Sequence, residues 1–222
     1  MGIAHSELFS RLANLLSFLT MIPAFLMTIR GSLSGQVRVF AVQSALLALL
    51  AAAVGVFTGR IELAGLGVVL AFFKVLAIPK VLNRAVENIG LEKTAAPYLG
   101  SSASLTICCL LVVVAFYVMA PIAPFSKLPT ADAIPLAFAD VLIGFFITVN
   151  RKRALTQILG FLMLENGVFL LALLGTYGVP LIVEIGVFLD VLVAVLILEV
   201  FIYRIKENFV SIDVGQLGKL RG

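Results

Sequence analysis

Four ionisable side chains stand inside stretches otherwise apolar enough to dissolve in lipid: Lys74 in "FFKVLAIP", Asp140 in "LAFADVLIGFF", Glu165 in "GFLMLENGVFLLAL" and Asp190 in "VEIGVFLDVLVAVLIL". A charge at bilayer depth is costly unless it is paired or solvated, so such residues are functional candidates by default, expected to face a protein interior. Carboxylates and lysines exchange protons. Burial favours the neutral form of either group, and a neighbouring opposite charge favours the charged form. A lysine beside a carboxylate can therefore hold a proton in either of two places, with water completing a path. The alternative is a static ion pair that fixes helix packing. Glu184 and Glu199 share a face of the segment that carries Asp190 and lie nearer its two ends, where long side chains reach the interface; Glu184 joins the other four as a proton-transfer candidate.

Other chemistries have too few parts. His5 is the single histidine, which leaves no histidine-based metal site or catalytic triad. Cys108 and Cys109 are adjacent in an apolar run, where a disulfide would be strained and metal-ligand spacing is absent. They read as core packing. The formal charge of +4 comes from basic residues placed between apolar runs, not from a soluble basic patch, so nucleic acid is an unsuitable partner.

The elements that must position these groups are membrane helices. The 222 residues are 62% hydrophobic and 13% charged, with a mean hydropathy of +1.17, far more apolar than a surface facing water. Counting a span as about 20 mostly apolar residues gives seven, at roughly 8–29, 37–58, 61–82, 99–120, 133–149, 154–175 and 181–204. The first lacks a basic n-region and a small-residue cleavage site and is read as a retained helix. The fold class is thus an all-α membrane bundle in one domain: four N-terminal helices over 1–120, three more over 133–204 and a polar tail over 205–222.

Basic residues orient the bundle. Arg30, Arg38, Lys80, Arg84, Lys93, Arg151, Lys152, Arg153, Arg204, Lys206, Lys219 and Arg221 share one side, against Arg11, Arg60 and Lys127 on the other. The richer side is expected to be cytoplasmic, with the N-terminus outside. At about 1.5 Å of rise per residue, Lys74, Asp140, Glu165 and Asp190 then fall in one layer near the midplane. Gly55 and Gly59 form a small-residue spacing with Ala51 that suits either close helix approach or a helix end.

At the fifth to seventh spans the pattern resembles a known family. "NRKRALTQILGFLMLENGVFLLAL" is similar to the second-helix region of the K subunit of respiratory complex I, where a basic connection leads into a helix with a glycine five residues before a mid-membrane glutamate; Gly160 and Glu165 match. Asp190 takes the place of that subunit's second buried acid, with aspartate where the family has glutamate, and "SIDVGQLGKLRG" is similar to its C-terminal stretch. The whole chain resembles hydrogenase-4 component E, through "AVQSALL", "FFKVLAIP", "LMLENG" and "LIVEIG" followed by Asp190. The resemblance implies a multi-pass subunit of a bacterial or archaeal inner membrane, beside antiporter-like proteins in a group 4 hydrogenase complex. It implies no cofactor in this chain, with nickel–iron and iron–sulfur centres in partner subunits, and a part in redox-driven proton translocation. A free-standing secondary transporter and a purely structural connector are the rival readings.

The two ends of the chain also resemble each other. "VRVFAVQSALLALL" can be laid on "ILGFLMLENGVFLLALL" with Gln43 opposite Glu165 and Ser44 opposite Asn166, which makes Lys74 the counterpart of Asp190.

Overall fold

The computed structural model describes residues 3–88, 97–122, 128–176 and 186. The described residues are helical: α1 (Ile3–Ile29), α2 (Leu33–Thr58), α3 (Ile61–Leu70), a π-helical segment (Ala71–Ala77), α4 (Ile78–Asn88), α5 (Ser101–Met119), α6 (Ile134–Val149) and α7 (Ala154–Thr176). Among the described residues six stretches are long and apolar enough to cross a membrane, with α3, the π segment and the start of α4 forming one of them, Ile61–Arg84. The protein is a multi-pass membrane protein. The expected seventh span, 181–204, lies outside the described residues together with Glu184 and Asp190, as does the tail over 205–222.

Helix ends follow local chemistry. Ser32 caps α2 by accepting the Gly35 amide, and α2 stops at Gly59, whose φ of 71° is the left-handed conformation that a glycine adopts without cost. Gly59 is thus a cap. Gly55, by contrast, lies against the backbone of Ala64 on α3, so a β-carbon there would force the two helices apart. The third span runs beyond its expected end at residue 82 because α4 continues to Asn88, into what sequence alone reads as a connection.

The shared directions of the helices can be read from their contacts. Arg151, just past the C-terminal end of α6, reaches the carbonyls of Met27 and Thr28 at the C-terminal end of α1, so α1 and α6 run the same way. Thr130, ahead of α6, donates to the Leu174 carbonyl near the end of α7 at 2.7 Å, so α6 and α7 are antiparallel. Their seam is close because Gly144, Gly160 and Gly167 each face the backbone of the opposing helix. Outward faces of α3, the π segment and α5 expose Val68, Phe72, Leu76, Leu110, Val113 and Phe116, surfaces suited to lipid or to other apolar protein.

Candidate functional site

Polar side chains collect inside this apolar bundle. Lys74 occupies the π segment and is 1% exposed; Glu165 and Asn166 come from the middle of α7 and are 3% and 2% exposed. The local backbone explains why a lysine is displayed here. Pro79 supplies no amide to the turn before it, and the Ile78 amide bonds the Phe73 carbonyl five residues back, widening the helix around Lys74. Lys74 Nζ lies 2.8 Å from Glu165 Oε1, a buried salt bridge, and donates to Asn166 Oδ1 at 3.2 Å.

From Asn166 a string of amides crosses the bundle. Asn166 Nδ2 donates to Ser44 Oγ at 3.0 Å and to Gln43 Oε1 at 3.2 Å, both on α2. Gln43 Nε2 in turn donates to the Thr20 carbonyl on α1 at 3.3 Å. Pro23, three residues on, has no amide, so α1 lacks the internal bond that would end on the Leu19 carbonyl. Each amide presents its oxygen toward Lys74 and its N–H away from it. This is the orientation a cation imposes on adjacent dipoles, and a flipped Asn166 would place its NH2 against the ammonium.

Thr20 carries the string to Asp140. Its hydroxyl is 2.6 Å from Asp140 Oδ2 on α6, and Asp140 is 1% exposed. Of the sequence candidates, then, Lys74 and Glu165 touch directly, while Asp140 joins them through Thr20, Gln43 and Asn166. Glu184 and Asp190 fall outside the described residues. Sequence reading passed over Thr20 and Ser17, and noted Gln43, Ser44 and Asn166 without assigning them roles. The available signal was a polar residue every third position on α1, at Arg11, Asn14, Ser17 and Thr20.

A second buried cation lies at the edge of the bundle. Arg151 is 1% exposed, and besides the α1 carbonyls it is fixed by its own backbone carbonyl, which accepts Gln157 Nε2 at 2.9 Å. Burial pushes its guanidinium below its ordinary pKa. The neighbouring Asn150 accepts the Tyr98 and Leu99 amides and donates to Ser104 Oγ, pinning the start of α5 to the end of α6. The position of Arg151 beside the last carbonyls of α1 matches the helix dipole and makes it an anchor.

Comparison with known proteins bears on what such an interior serves. No family profile matches the chain, and no solved structure matches it. The uncharacterized protein Rv0085 of Mycobacterium tuberculosis is 37% identical over 193 residues, covering 86% of this chain and 88% of the relative. Hydrogenase-4 component E of Escherichia coli K12 is 29% identical over 153 residues, 67% of this chain and 69% of the relative, and that of Shigella flexneri matches to the same extent. At this identity and coverage the chain belongs to the family of the Mycobacterium tuberculosis protein, with hydrogenase-4 component E as a more distant relative.

Proposed function

We propose that this chain is a non-catalytic membrane-arm subunit of a hydrogenase-type, complex I-related assembly, contributing buried ionisable residues to redox-driven proton translocation. The observation that carries this reading is the Lys74–Glu165 pair, buried in apolar surroundings and oriented by amides. Proton transfer within it converts an ammonium and a carboxylate into an amine and a carboxylic acid. The total charge is unchanged, so the step avoids the cost of creating a charge inside the membrane. The amides of Asn166 and Gln43 hold the pair in this arrangement, Asn166 bonding Lys74 and Gln43 bonding Asn166.

Asp190 and Glu184, on the expected seventh span, would continue the path toward a neighbouring subunit, in the manner of the complex I K subunit. Antiporter-like membrane proteins would stand beside the chain, and nickel–iron and iron–sulfur centres would reside in other subunits. Its cytoplasmic face would be the one bearing Arg30 and Arg151 to Arg153. The similarity to hydrogenase-4 component E supports the assembly, and the buried pair supports the proton role. Isolation from native membranes in mild detergent tests the first point: hydrogenase-type subunits should co-purify, whereas a lone homo-oligomer active in transport would overturn the assignment. Replacing Glu165 by Gln in the assembled complex tests the second through redox-driven proton uptake.

A further inference from the structure

The polar string ends at Asp140, and the chemistry there differs from that at Lys74. Thr20 Oγ1 lies 2.6 Å from Asp140 Oδ2 and 2.7 Å from the Ser17 carbonyl oxygen. Both are O–H···O distances, and two such short bonds at one hydroxyl are each strongest with a hydrogen of their own. A threonine hydroxyl has one hydrogen and a carbonyl has none. A second hydrogen is available from the Asp140 carboxyl, which in its acid form donates to Thr20 while Thr20 donates to Ser17. The electrostatics agree: among the described residues Lys74 is paired with Glu165, and no cation lies within salt-bridge reach of Asp140.

Asp140 also has a side turned away from the string. Its Oδ1 has no hydrogen-bond partner among the described residues, and neither do Ser17 Oγ and Asn14 Oδ1, all buried atoms. Asn14, Ser17 and Thr20 are successive steps of about 4.5 Å along α1, each turned about 60° round it, so these atoms wind as a ladder along one ridge of the helix from Asp140 toward its N-terminal end. Buried polar groups of this kind are met by water. In the other direction the links are the carboxamides of Gln43 and Asn166, which orient charges and do not ionise.

We propose that Asp140, held as a carboxylic acid by Thr20, is a second proton-binding site, reached through water bound by Asn14 and Ser17 and insulated from the Lys74–Glu165 pair by amides. Exchange moves one proton from the carboxyl to a water, leaving a carboxylate and a hydronium that passes along the ladder; no other bond changes. The site stands whether or not the chain serves a hydrogenase-type complex.

Difference infrared spectroscopy on the full-length chain, in the membrane assembly with which it is isolated, tests this. A carbonyl stretch of a protonated carboxyl should be present at neutral pH, vanish in Asp140→Asn and move to higher frequency in Thr20→Val, where the acid loses its acceptor. It should shift on transfer to D2O, and more slowly when Asn14→Leu and Ser17→Ala are combined. Absence of the band, a band indifferent to both Asp140→Asn and Thr20→Val, D2O exchange unaffected by removing the ladder, or abolition of the band by sodium would overturn the proposal. Should Asp140→Asn not accumulate, the Thr20→Val shift decides it.

Discussion

Two helical hairpins, α1–α2 and α6–α7, are built alike and charged differently. In each a glutamine near the start of the second helix donates to the carbonyl of an arginine six residues earlier, Gln36 to Arg30 at 2.8 Å and Gln157 to Arg151 at 2.9 Å. Their mid-helix polar residues meet: Thr20 faces Asp140, and Gln43 and Ser44 face Asn166, next to Glu165. Yet the first hairpin offers hydroxyls and amides where the second carries carboxylates. The first hairpin thus supplies fixed dipoles and the second the carboxylates, with Lys74 coming from the third span, so that ionisable residues are solvated by protein inside the bundle. Asn166 thus bonds Ser44, the residue laid opposite it in the sequence, and Gln43 beside it.

The contrast can be broken at several points. Lys74→Met should have the largest effect, destabilising the protein by about 3–5 kcal/mol because it strips the cation from a buried carboxylate. Adding Glu165→Met should recover most of that loss, a cycle read by thermal unfolding in detergent. Next come the two turn arginines. Arg151→Met should cost roughly 2–4 kcal/mol, since it leaves the Met27 and Thr28 carbonyls without their charged donor. Arg30→Met, at the exposed equivalent, should change stability by less than about 0.5 kcal/mol. Equal effects in the same unfolding assay would erase the distinction between the hairpins.

Smaller effects sharpen the role of the neutral half. Gln43→Leu removes an acceptor from Asn166 and a donor from the Thr20 carbonyl, an expected loss of about 1–3 kcal/mol. Ser44→Ala leaves Asn166 its bond to Gln43 and should cost about 1 kcal/mol or less. Reversal of that order, measured by the same unfolding midpoints, would show that Ser44 is the main support of Asn166.

Hydrophobic runs and interrupting charges made most of this architecture legible in sequence. The six described spans fall close to their expected positions because lipid demands long apolar helices and leaves little else to satisfy the backbone. Lys74, Glu165 and Asp140 were visible for the same reason, as expensive groups in apolar surroundings. Which of them touch was not legible. A depth estimate places residues along the membrane normal but carries no rotation, and Lys74 sits in a π turn that the sequence pattern does not announce. Thr20 carries no sequence signal of its own, and Gln43 none of its role, because uncharged polar residues are tolerated in membrane helices; their partners become apparent only once α1, α2, α6 and α7 are packed.

The central claim is that the proton-moving step belongs to Glu165 with Lys74, and that the amide string only orients it. Proton uptake per electron transferred, measured on the assembled complex in sealed vesicles, compares Glu165→Gln directly with Gln43→Leu. Uptake should fall at least about tenfold in Glu165→Gln, while Gln43→Leu retains most of it. Full uptake by an intact Glu165→Gln complex would contradict the claim and leave the pair as packing alone.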